Sequence, residues 1–173
     1  MKSLARRSFH ATALLTLLGS LLGTGTALAL DAPAERPILT ITGKIGVTNT
    51  ANAIRLDMKM IEALPQHSFT THTPWFDRPV KFTGPLLADV LKLAQAQGTT
   101  IHATAINDYR IKIPMADAGE HGVIMARLLD DQPMAVREKG PLFIVYPFDA
   151  SAKLRSSVYY ERSIWQLKAL DIQ

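Results

Sequence analysis

Residues 68–84 hold the densest set of groups able to handle a small molecule. Ser68, Thr70, Thr71, His72 and Thr73 lead into Pro74 and Trp75, and Asp77 and Arg78 follow. A tryptophan is ordinarily a large core residue. Here its neighbours are hydroxyls, an imidazole and charges, and Pro74 fixes the backbone just before it. The chain has no cysteine, so it offers no soft thiolate to a metal, no disulfide and no cysteine-based zinc site. His67, His72, His102 and His121 show no tight metal-ligand spacing. No nucleophile–base pair stands out, so catalysis is not implied. Asn107-Asp108 reads on spacing alone as turn chemistry, with Tyr109 beside it. Arg137, Lys139 and Tyr146 flank Gly140-Pro141, which read alone is a solvated basic turn.

The elements that must position these groups are short. Ile38 to Lys44 alternates and is β-branched, which predicts a strand. Met58, Ile61 and Leu64 recur at helical intervals up to Pro65. Ser68 to Thr73 and Val80 to Phe82 read as strands. Gly84-Pro85 is expected to open the clearest helix, with proline in its first turn, an apolar stripe of Leu86, Leu87, Val90, Leu91 and Ala94, and Gly98 as its stop. Strands follow at Thr100–Ile106 and Tyr109–Ile113 around the Asn107-Asp108 turn. Val123–Leu129 is apolar and ends in a turn at Asp130-Asp131-Gln132-Pro133. Leu142–Tyr146 is a short apolar strand, and residues 157–172 close the domain. Many short strands with two or three helices give an α+β class rather than alternating βαβ units.

The first 29 residues read as an export signal. Lys2, Arg6 and Arg7 precede the apolar run Ala11–Leu22, and Ala27-Leu28-Ala29 is a small-x-small cleavage site. Arg6-Arg7-Ser8-Phe9 also resembles part of a twin-arginine signal, so both export routes stay open. Removing these three of the 19 basic residues leaves 16 against 15 acidic ones. That near-neutral balance gives no clustered basic surface for nucleic acid. Residues 30–173 are the length of one domain with one core.

The order of motifs resembles the sulfite-oxidase-type molybdopterin domain. It runs through the opening strand with Gly43, Ala63-Leu64-Pro65, Phe82-Thr83-Gly84-Pro85-Leu86-Leu87, Asn107-Asp108-Tyr109, residues 139–147 and Trp165-Gln166-Leu167-Lys168. In that family a cysteine thiolate binds molybdenum, and the matching slot falls at or next to His72. The small exported branch with Thr73-Pro74-Trp75 in this region is similar to periplasmic pterin-binding proteins. Those proteins act on membrane-bound cyclic-di-GMP enzymes with GGDEF and EAL domains.

The resemblance implies a periplasmic, non-catalytic pterin-binding sensor or adaptor, its partner being the periplasmic region of an inner-membrane GGDEF/EAL regulator. A small unconjugated pterin is the implied cofactor. A pterin is flat with a guanidine-like edge, so it calls for an aromatic face and a carboxylate that accepts two parallel hydrogen bonds. Trp75 supplies the face in this reading and Asp108 the carboxylate, with Tyr109, His72 and Thr73 around them and Arg137 and Tyr146 beside a ligand phosphate. The alternative is a molybdopterin-dependent oxidoreductase with a non-cysteine ligand such as Asp77 or a threonine.

Overall fold

The computed structural model describes residues 30–173, so the signal-like segment 1–29 lies outside the described residues. Strands β1 (Leu39–Gly43) and β2 (Ile54–Leu56) precede helix α1 (Met58–Glu62). The long hairpin β3 (Gln66–Thr73) and β4 (Phe76–Pro85) leads to α2 (Leu87–Leu93), β5 (Thr100–Ala105) and β6 (Arg110–Pro114). Helix α3 (Met115–Glu120) is followed by β7 (Ile124–Ala126), β8 (Leu128–Leu129), β9 (Gln132–Pro133) and β10 (Phe143–Val145). Helix α4 (Ser157–Glu161), β11 (Ile164–Trp165) and β12 (Leu167–Ile172) complete the chain.

These form three sheets, ordered β2-β1-β12-β5-β6, β11-β10-β7 and β3-β4-β8-β9. The only parallel pairing among the named strands is β1 with β12, which joins the two ends of the described chain. With mixed sheets and four α-helices among the described residues, the architecture is the α+β class the sequence predicts. None of those helices is long and apolar enough to cross a membrane.

Alternation builds the five-stranded sheet. Leu39 and Ile41 of β1 and Ile101, Ala103 and Ala105 of β5 are buried, while Thr40, His102 and Thr104 between them face the other way. Helix α1 begins at Asp57, whose Oδ1 accepts from the Met60 N–H at 2.9 Å while Oδ2 accepts from the Glu35 N–H at 3.0 Å. That is N-capping of orphan amides.

Several boundaries differ from expectation. The hairpin is longer than predicted, because β4 pairs with β3 all the way to Pro85. Gly84 and Pro85 therefore end a strand instead of opening a helix. A Cβ on Gly84 would collide with the Met125 carbonyl, so close packing against β7 keeps this residue glycine. Leu86 is extended and bridges Ile124, which delays the helix to Leu87. The helix stops at Ala94 because Gln95 turns left-handed, with φ of 47°, so that the Gln95 N–H donates to the Lys92 carbonyl and the Ala96 N–H to the Leu91 carbonyl; Gly98 is not its cap. Helices α3 and α4 were not predicted, and each spans less than two turns.

Candidate functional site

A cleft of about 540 Å³ opens where three connections meet. The β3–β4 turn contributes Pro74 and Trp75. The β5–β6 hairpin contributes Ala105, Asn107 and Tyr109. Helix α4 and its exit contribute Ser157, Tyr160, Glu161, Ser163, Ile164 and Trp165. Its size falls within the roughly 300–1,000 Å³ of small-molecule sites, and its lining is mostly apolar with a few polar groups, as such sites are.

Trp75 is the hub of its floor. Its ring lies 5.5 Å from Phe143, 6.0 Å from Phe148, 6.2 Å from Tyr160 and 5.6 Å from Trp165, centroid to centroid. It stands nearly perpendicular to Tyr160, at 80°. Such edge-to-face contacts suit the ring quadrupoles and lock the indole in place. The Thr73 Oγ1 accepts from the Trp75 N–H at 3.3 Å. Lys139, with φ of 76° in the left-handed region, sets its Nζ 4.3 Å from the centre of the Trp165 ring as a cation–π contact. Helical spacing explains the opposite wall: Ser157, Tyr160 and Glu161 are three and four residues apart and share one face of α4.

The residues singled out in the sequence divide on this map. Trp75 and Tyr109 line the cleft, Tyr109 being 54% exposed at its mouth. Thr73 touches it only by bonding Trp75. Asp108 adopts φ of 66° in the turn and is not among the lining residues. Its carboxylate takes a 2.7 Å ion pair from Lys168 Nζ, and this bond and charge, with a smaller effect of Arg110, hold its carboxyl below the usual range. The Asn107 Oδ1 accepts from the Tyr109 N–H, so the predicted turn chemistry operates there.

Tyr146 is fully buried and donates its hydroxyl to Asp117 Oδ2 at 2.7 Å, with no surface to offer a ligand phosphate. Arg137 is exposed beside Glu138, away from the cleft lining. His72 is exposed on β3 and pairs with Asp149. Sequence reasoning had no role for Tyr160, Glu161 or Ser157, gave Asn107 only a turn, and noted Trp165 only within the closing motif.

The His72–Asp149 contact ties β3 to the turn at Phe148–Ala150. Asp149 Oδ2 accepts from the His72 N–H at 2.8 Å and lies 2.9 Å from its Nδ1, while the Asp149 N–H donates to Thr71 Oγ1. The His72 backbone bond, then its side chain, lowers the Asp149 carboxyl pKa. A lowered folded-state value means a contribution present above the unfolded value, about 3.9, and lost as pH falls through the folded one. Asp149→Asn is thus expected to melt below the wild type at pH 7, with the gap narrowing in thermal denaturation as pH falls below the ordinary carboxylate range.

A single α+β domain with an aromatic-walled cleft is what fold and geometry define. No family model matches the chain, and no curated protein matches it either. Among solved structures, the chain is similar to the sulfane dehydrogenase SoxCD from Paracoccus pantotrophus. The TM-score is 0.60 at 14% identity, over 78% of this chain and 37% of that one. The chain thus spans little more than a third of that protein's length, and at this identity the likeness is one of fold. What the likeness shows is a shared α+β fold over this span, the class that the motif order implied.

Proposed function

We propose that the cleft binds a pterin and that the protein is a non-catalytic binding protein, a sensor or adaptor. The observation that carries this reading is the cleft itself: about 540 Å³ walled by Trp75, Tyr160 and Trp165, with Asn107, Ser157, Ser163 and Glu161 as polar partners. Flat aromatic faces with few hydrogen-bonding groups suit a planar heterocycle. The metal alternative has less support. The chain has no cysteine, so it lacks the thiolate by which the enzymes it resembles hold molybdenum.

Export to the periplasm and partnership with an inner-membrane GGDEF/EAL regulator belong to the same proposal. Their support is the signal-like residues 1–29 and the resemblance of the motif order to periplasmic pterin-binding proteins. Exposed apolar residues flank the cleft at Ile106, Tyr109 and Val158, so a partner seated there would meet a surface altered by an occupied cleft.

The test is mass spectrometry of the small molecule carried by protein purified from its native compartment, with calorimetric titration of reduced and oxidised pterins. A co-purifying pterin and saturable one-to-one binding are expected. Stoichiometric molybdenum in the native protein would overturn the reading in favour of the oxidoreductase.

A further inference from the structure

We infer that Glu161, not Asp108, reads the hydrogen-bonding edge of the ligand, and that it makes the cleft selective for rings carrying a 2-amino-4-oxopyrimidine edge. This rests on the reading of the cleft as a ring-binding site. Such an edge presents an exocyclic amino group and a ring N–H as two parallel donors, and a carboxylate accepts both. Glu161 is the one carboxylate lining the cleft among the described residues. It ends α4 on the face that also carries Tyr160, so the acceptor stands next to an aromatic wall.

The surrounding charges are arranged to leave Glu161 available. Arg162, its neighbour in sequence, is drawn to the buried Asp117 by a 2.9 Å ion pair. Lys168 is taken by Asp108, and Lys139 lies over Trp165. Lys112 shares a second, smaller cleft of about 380 Å³ with Glu161 and Tyr109, yet makes no ion pair among the described residues. Asp108, its Oδ1 paired with Lys168 and its side chain outside the cleft lining, lacks the position for this task.

The shared edge occurs in pterins and in guanine. Lumazine keeps the pterin ring but carries an oxygen where pterin has the amino group, so it would set a carbonyl against the Glu161 carboxylate. That repulsion supplies discrimination as well as a lost bond. Titrating the full chain with pterin, lumazine and guanosine separates the possibilities. Wild type is expected to bind pterin on the order of tenfold or more tighter than lumazine, the size of a charge-assisted hydrogen-bond pair at a partly wet site.

In Glu161→Gln that preference should fall to within about threefold, and Asp108→Asn should keep it in full. Glu161 is exposed, so the glutamine variant retains the fold, which a melting curve checks. A pterin preference that survives in Glu161→Gln overturns the inference, as does equal wild-type affinity for pterin and lumazine; both leave the cleft as a ring site. Guanosine binding as tightly as pterin, with lumazine rejected, supports the edge reading and overturns pterin as the occupant. Wild type that binds none of the three overturns the ring-binding function and the inference together.

Discussion

Trp75→Ala is expected to weaken pterin binding by about 5- to 150-fold, the equivalent of 1–3 kcal/mol for a lost stacking face. The same change should cost the fold about 2–4 kcal/mol, somewhat under the penalty for a fully buried tryptophan, because the indole is half-buried and touches four other rings. Calorimetric titration measures the first effect and urea unfolding the second. The two losses must be separated, since a loosened floor would weaken binding without any direct contact. Trp75→Phe does this: a smaller ring keeps much of the packing against Phe143 and Phe148 but offers less stacking area. Stability near the wild type with affinity still reduced would place the ligand on the indole. Unchanged affinity in both variants would move the site elsewhere.

The largest stability loss is expected from Asp117→Ala, at about 3–5 kcal/mol in denaturant unfolding. Asp117 is 5% exposed, and its Oδ2 accepts both from Tyr146 and from Arg162. Removing it leaves a buried hydroxyl without an acceptor and a half-buried guanidinium without its counter-ion. The arrangement also gives a sign at high pH. Burial, and then the bond to Asp117, pushes the Tyr146 hydroxyl pKa up from its ordinary value. A raised value means a contribution intact below the unfolded pKa, about 10, and lost as alkali is added beyond it. Tyr146→Phe should flatten the alkaline fall in stability. It should cost less than Asp117→Ala, because Arg162 keeps its partner.

The sequence revealed elements wherever one face is wet and the other dry. Leu39 and Ile41 alternate with threonines, and Ile101 and Ala103 with His102 and Thr104, because each strand has a single buried face. Strands β7 and β10 are buried at every residue, so alternation had nothing to reveal there. Helices α3 and α4 run for six and five residues, too short for a 3.6-residue period to repeat. Losing α4 mattered most for the site, since its face presents Tyr160 and Glu161 to the cleft. Trp75 could be read from its polar neighbours and Pro74. Asp108 could not, because what decides its state is Lys168, 60 residues further along the chain. Tyr146 reads as the end of an apolar strand and a neighbour of a ligand phosphate, but Asp117, 29 residues upstream, holds its hydroxyl in the core.

The chain has two tryptophans, Trp75 and Trp165, and both line the same cleft, 5.6 Å apart. Every photon the protein emits from indole therefore originates at that wall. No third indole elsewhere adds a constant background, so intrinsic emission reports on the cleft alone. The protein is its own optical gauge, and an absorbing planar guest that entered would dim nearly the whole signal rather than a fraction of it. The ammonium of Lys139 over one of the two rings gives the pair unequal surroundings, so solvent entering from the mouth would shift the emission of one indole before the other.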